Sequence, residues 1–251
     1  MAGQQNTPAK NDRLKAKRCL NLHMHFFDYT RYFFYLASNW NIRIATHIIS
    51  KEIKGEKKYD IQTTGADELE SLEDKGIDTE HATIYMPVSY DVIEDVFDQY
   101  NPAASKHLID IGCGKGRAMC VAAQMGARKI TGIDFSKEFC DQAKLNLLKS
   151  KQKCPALDYK VLNNDAFYFD IPEDVDCIFM FNPFDEVIMS GVLENIEVSL
   201  EEHPRKLTII YANPMQKHLF LEAGFTQTYH TKKMKYLEAI ILEKPAKKNN
   251  Q

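Results

Sequence analysis

An apolar run, Leu108 to Ile111, stops in a turn with glycine at three alternate positions, Gly112, Gly114 and Gly116. Beyond the turn an apolar pattern of helical spacing resumes through Met119, Ala122 and Ala123. This succession of strand, tight turn and helix constrains the fold more than any other stretch. Glycine at alternate positions lets the backbone take positive φ and removes the Cβ atoms that would hold a ligand off the main chain. In an open parallel sheet, such a turn at the carboxyl end of a strand is where ligands collect.

The spacing narrows the ligand. From Asp110 the run reads D-x-G-x-G-x-G, and Lys115 is followed by Gly116. Neither the dinucleotide pattern G-x-G-x-x-G nor the phosphate loop G-x-x-x-x-G-K-[ST] fits. The run resembles the first motif of class I S-adenosylmethionine (SAM) dependent methyltransferases, whose glycines pack against the amino-acid part of the cofactor. The resemblance implies that Asp110, Gly112, Gly114 and Gly116 bind SAM.

The rest of the chain supports an alternating layout. Apolar runs at 129–134, 159–165, 175–182 and 207–211 read as strands. Helical patterns at 137–149, 186–200 and 215–223 lie among them, and two closing strands are expected near 225–229 and 236–242. Such alternation implies βαβ units with right-handed crossovers. The expected fold is α/β, a doubly wound, seven-stranded, mostly parallel sheet of Rossmann-like type whose last strand pair is antiparallel, with an N-terminal helical extension. Seven strands ending in such a pair also resemble the class I methyltransferases, and the resemblance covers about Tyr85 to Glu243.

Further positions fall where that family's motifs would place them. Asp134 ends the second strand, near the distance from the glycines at which an acid reaches a bound ribose; Phe135 follows it. Asp165 ends the third strand and precedes Ala166, where the family receives the adenine amino group beside an apolar wall. Tyr85, in Tyr85-Met86-Pro87, resembles a segment that folds over the methionine end of the cofactor, although a packing tyrosine fits as well. Asn182-Pro183-Phe184 at the end of the fourth strand resembles the [Asn/Asp]-Pro-Pro-[Tyr/Phe] motif of enzymes that methylate nitrogen, with one proline missing. The resemblance thus implies Asn182, Pro183 and Phe184 as the catalytic set and Asn182 as a cofactor contact. Nitrogen, oxygen, carbon and sulfur all stay open as the accepting atom. A nicotinamide-dependent oxidoreductase and a non-catalytic SAM-binding module are the alternatives.

Composition adds bounds. The 251 residues are 44% hydrophobic and 27% charged with a net charge of -3, ordinary for a globular protein and without global attraction to nucleic acid. The methyl acceptor, whether protein, nucleic acid or small molecule, cannot be read from it. The six cysteines, Cys19, Cys113, Cys120, Cys140, Cys154 and Cys177, form no metal spacing and read as buried thiols. No metal is expected, no apolar run is long enough for a membrane span, and a cytoplasmic location is expected. Residues 1–13 read as a disordered tail and 14–84 as a helical extension rich in aromatics, including Phe26, Phe27, Phe33, Phe34 and Trp40. That stripe is expected to pack as a helix face, with a substrate grip as the alternative. The Gly55–Tyr59 stretch is expected to break the helical pattern, 85–245 to form the SAM-binding domain and 246–251 to form a second disordered tail. His107 and His218 read as structural or surface histidines.

Overall fold

The computed structural model describes residues 29–64, 87–181, 184–234 and 237–246. Two compact units divide the chain, 1–49 and 50–251. In the first, the described residues are helical over 29–39 (α1) and enter a second helix, α2 (Ile42–Tyr59), whose later half belongs to the second unit. Phe33 and Phe34 of α1 meet edge to face at 5.6 Å. Phe26, Phe27 and the 1–13 tail lie outside the described residues, as do 65–86 and 247–251.

The second unit is built on a sheet of seven strands among the described residues: β1 (Leu108–Ile111), β2 (Lys129–Asp134), β3 (Asp158–Asn163), β4 (Cys177–Phe181), β5 (Leu207–Ala212), β6 (Thr226–Lys233) and β7 (Leu237–Lys244). Their order is β3-β2-β1-β4-β5-β7-β6. The first five are mutually parallel, and β7 runs antiparallel to both β5 and β6. Helix α3 (Tyr90–Tyr100) leads into β1, and α4 (Arg117–Gln124), α5 (Lys137–Lys153), α6 (Glu186–Glu202) and α7 (Lys217–Glu222) follow β1, β2, β4 and β5.

Burial on both faces follows from the sequence. Strand β1 is buried throughout, and its residues alternate between two cores. Leu108 joins Phe97, Met119, Ile130 and Leu147 in one core. Ile109 and Ile111 join Ile133, Ile178, Met180 and Ile196 in the other. By that alternation Asp110 falls on the side of Leu108. Beneath the amino end of β1, His107 is buried between Asp174 and Thr131, each 2.9 Å from a ring nitrogen, a structural role as expected.

The α/β alternation and the antiparallel closing pair are as the sequence implies, and two local expectations are overturned. Residues 55–59 do not break a helix: α2 runs through them, and Gly55 serves packing, since a Cβ there would lie 2.2 Å from the Tyr90 ring. Thr231 to Lys233, beyond the 225–229 expected for the first closing strand, belong to β6, because β7 is long enough to pair with them through Ala239, Glu238 and Leu237. Ser89 stands at the N-cap of α3 but its hydroxyl donates to Asp91 Oδ1 at 2.6 Å, so it caps no backbone amide. Helix α3 stops at Asn101-Pro102, where Asn101 turns left-handed. Cys113, Cys120, Cys140 and Cys177 are buried free thiols, and Cys154 is half-buried. Among the described residues no helix is long and apolar enough to cross a membrane, and no cluster of side chains could hold a metal ion.

Candidate functional site

The site grows from the carboxyl end of β1. Gly112, Gly114 and Gly116 have φ of 73°, 52° and 80°, a region in which side-chain-bearing residues are strained. The amides of Gly112 and Cys113 both donate to the Ile133 carbonyl at 2.9 Å, which ties the start of the turn to β2. Gly116 has a second reason to lack a side chain, because a Cβ there would meet the Ala143 Cβ of α5 at 3.0 Å. The turn therefore lies low between β1, β2 and α5, with its backbone close to whatever occupies the end of the sheet.

Two acids flank it. Asp134, the last residue of β2, accepts the Gly114 N–H at 2.8 Å through Oδ2 and the Ser136 N–H at 2.9 Å through Oδ1. Burial pushes its carboxyl up to about 6, against the pull of those two amides. Each oxygen keeps lone-pair capacity for a further donor. Asp110 is buried on β1, and its Oδ2 makes no hydrogen bond among the described residues. Burial and then the charge of Asp134 push the Asp110 carboxyl up to about 8. A buried acid without a partner costs free energy and calls for an explanation beyond packing.

At the neighbouring strand end, Asp165 is exposed and accepts the Phe167 N–H at 2.9 Å, starting a short 3-10 turn that buries Ala166. Gly191 of α6 makes room for the Phe167 ring, which a Cβ would approach to 2.4 Å. Phe135 is half-buried, and its carbonyl accepts from Asn163 Nδ2 at 2.7 Å. Asp110, Asp134, Phe135, Asp165 and Ala166 thus stand at or just after the ends of three adjacent parallel strands, β1, β2 and β3. Phe184, past the end of β4, is buried with Met180 and Met189. Asp185 then caps α6 by accepting the amides of Val187 and Ile188 at 3.0 and 3.1 Å. His218, half-exposed, lies 3.8 Å from Glu186 across this edge. Tyr85, Asn182 and Pro183 lie outside the described residues.

One part of the site was invisible to sequence reasoning. Arg117, the residue after the last glycine, is buried and makes a bidentate pair with the fully buried Glu52, at 2.7 and 2.5 Å. Its Nε donates to Thr63 Oγ1 at 2.8 Å and its Nη1 to the Val88 carbonyl at 2.7 Å, and the guanidinium lies 4.2 Å from the Tyr90 ring centroid. The faint signal was the pair Glu52 and Glu56, one turn apart on a helix, with no Lys or Arg three or four positions from either.

Comparison with known proteins finds matches over the segment that holds the glycine corner. Residues 108–202 match a family described as methyltransferase domain. The ubiquinone biosynthesis O-methyltransferase of Stutzerimonas stutzeri (strain A1501) is 36% identical over 81 residues, 32% of this chain and 33% of that protein. The protein of the same name from Dechloromonas aromatica (strain RCB) is 34% identical over 84 residues, 34% of each chain. The chain thus matches these curated relatives over about a third of their length. Among solved structures, a methyltransferase of Escherichia coli described as putative, yhhF, superposes with a TM-score of 0.49 at 19% identity, covering 64% of this chain and 88% of that one. The segment that matches a methyltransferase domain, 108–202, holds the glycine corner and both buried acids.

Proposed function

We propose that this chain transfers a methyl group from SAM to a nitrogen of an acceptor molecule. The observation that carries the cofactor reading is the glycine corner with a buried, unpartnered Asp110 oxygen beside it and Asp134 at the next strand end. These residues fit the cofactor by chemistry: backbone without side chains to lie against the amino-acid part, and carboxylates to receive an ammonium and hydroxyls. Asp134 would hold the ribose, Asp110 and the Gly112–Gly116 turn the methionine end, and Asp165 with Ala166 and Phe135 the adenine.

When bound, SAM supplies a methyl group activated on a sulfonium, which leaves by in-line displacement. The protein's part is to align the acceptor and keep water out, and little reactive side-chain chemistry is needed. Asn182 would orient the accepting amine through its side-chain oxygen, and Phe184 with Pro183 would wall the acceptor and favour the sulfonium charge. Asn182 is no base, so the amine must lose its proton to solvent or to another group. The Asn182-Pro183-Phe184 sequence supports nitrogen. The two curated relatives are O-methyltransferases by name, and their short match supports methyl transfer more than it supports an accepting atom. The free buried thiols support a reducing, cytoplasmic setting. We keep 85–245 as the catalytic domain and 14–84 as a helical extension, of which 50–64 lie in the same compact unit as the glycine corner.

The test is calorimetric titration with SAM, followed by incubation of the protein with tritiated SAM and cell-lysate fractions of protein, nucleic acid and small molecules. Saturable SAM binding and label in one fraction, in an acid- and base-stable amine linkage, are expected. Binding without transfer to any fraction would support a SAM-binding module, and label released by mild base would point to a carboxyl oxygen.

A further inference from the structure

We infer that Glu52 is a positioning residue for the cofactor corner, acting through Arg117. The inference rests on the SAM reading above and adds to it a residue outside the matched 108–202 segment.

Arg117, the residue after the last glycine, is gripped by Glu52 and Thr63, more than fifty positions earlier. To Glu52, Thr63 and Val88, Arg117 donates two, one and one hydrogen bonds, which give its side chain one defined position. Glu52 Oε2 also accepts from Thr64 Oγ1 at 2.9 Å. One helical turn on, Glu56 Oε1 accepts the amides of Thr63 and Thr64 at 2.6 and 2.7 Å, which fixes the backbone that carries those hydroxyls. From the other side Asn146 of α5, also buried, bridges the same two segments. Its Nδ2 donates to the Gln62 carbonyl at 3.0 Å and to the Lys115 carbonyl at 2.9 Å, while its Oδ1 accepts the Gln62 amide at 3.2 Å. Glu52 and all these partners lie in the second compact unit.

Stability alone does not explain such a pair. Burying two charges costs free energy that the attraction between them only partly offsets, and apolar residues of similar volume often stabilise as well or better. Burial pushes the Glu52 carboxyl up in spite of Arg117. A planar, bidentate, four-bonded arrangement does fix one geometry, and the backbone it fixes is the last glycine of the cofactor turn. A small displacement of a positioning element near a reacting centre has large effects on binding and rate.

The test compares three variants of the full chain by calorimetric SAM affinity, thermal melting without ligand, and the KM for SAM set against kcat. Glu52→Gln should weaken SAM binding about tenfold or more and raise the KM for SAM, with a smaller change in kcat. The apolar pair Glu52→Met with Arg117→Met should restore the melting temperature but not the SAM affinity. Thr64→Val removes one bond to Glu52 without changing volume and serves if Glu52→Gln fails to fold; a loss of about threefold is expected. Wild-type SAM affinity in a folded Glu52→Gln or Thr64→Val variant, or in the apolar pair, would overturn the inference and leave the tie purely structural. A wild-type chain that binds no SAM would remove the cofactor reading and this inference together.

Discussion

Asp134 Oδ2 accepts the backbone N–H of Gly114 at 2.8 Å, so the acid that ends β2 is hydrogen-bonded to the middle glycine of the turn that ends β1. The two strand ends therefore form one polar unit, and the candidate ribose acceptor is held in place before any ligand arrives. Preorganisation of this kind lowers the cost of binding.

Asp134→Ala removes both acceptors and loosens the glycine turn. SAM affinity is expected to fall by about 10- to 100-fold, the scale of one or two hydrogen bonds to a charged group, in a protein that still folds. Calorimetry on the wild type and the variant measures it, with NADH titrated alongside. An affinity that stays unchanged would remove Asp134 from the cofactor site, and tighter binding of NADH would count against SAM.

The buried acids give stability a pH trend. Asp110 is pushed up to about 8 from its ordinary 3.8, so the ligand-free protein holds the proton that the unfolded chain releases. This contribution is fully present below pH about 4 and is lost as pH rises through about 8, where both forms are ionised. Asp110→Asn cannot ionise and escapes that loss. Relative to the wild type, its melting temperature should improve steadily from pH 4 to 8 and level off beyond, whatever constant offset the amide introduces. Thermal melts without ligand across this range decide it; a flat difference would show that Asp110 titrates like a surface acid.

Gly55→Ala tests the packing of α2. Alanine favours a helix over glycine by about 1 kcal/mol, yet its Cβ would lie 2.2 Å from the Tyr90 ring. The overlap should win, with a net loss of about 1–3 kcal/mol in urea unfolding. A more stable variant would mean that Tyr90 can shift freely.

Asn182→Ala separates binding from chemistry. If Asn182 orients the acceptor, SAM affinity should stay within a few-fold while kcat falls by about 10²-fold or more. Titration and methyl-transfer rates on one preparation give both numbers. Parallel loss of affinity and rate would make Asn182 a cofactor residue, and full activity would reduce Asn182-Pro183-Phe184 to a turn.

What the sequence made legible was local. The bounds of β1 and β2 could be read because Leu108–Ile111 and Lys129–Asp134 are short apolar runs closed by glycine or acid. Gly55 misled because a glycine in a helical pattern carries no mark of whether it breaks the helix or admits a ring from Tyr90, 35 positions on. The Glu52–Arg117 pair escaped for the same reason, spanning 65 positions, a separation at which charge patterns in one sequence have no phase to follow. The extent of β6 depended on β7, since the polar Thr231-Lys232-Lys233 has no strand signature of its own and becomes strand by pairing.

The place of β7 between β5 and β6 also sets an order of events during synthesis. β6 leaves the ribosome before the strand it pairs with, and β5 has no neighbour on that side until β7 arrives. Through that interval β5, buried in the finished sheet, offers an open backbone edge, the kind of surface that invites pairing with other chains. Nascent chains stalled before Leu237 should accordingly be the aggregation-prone form of this protein, and release of the last strand the step that closes the sheet.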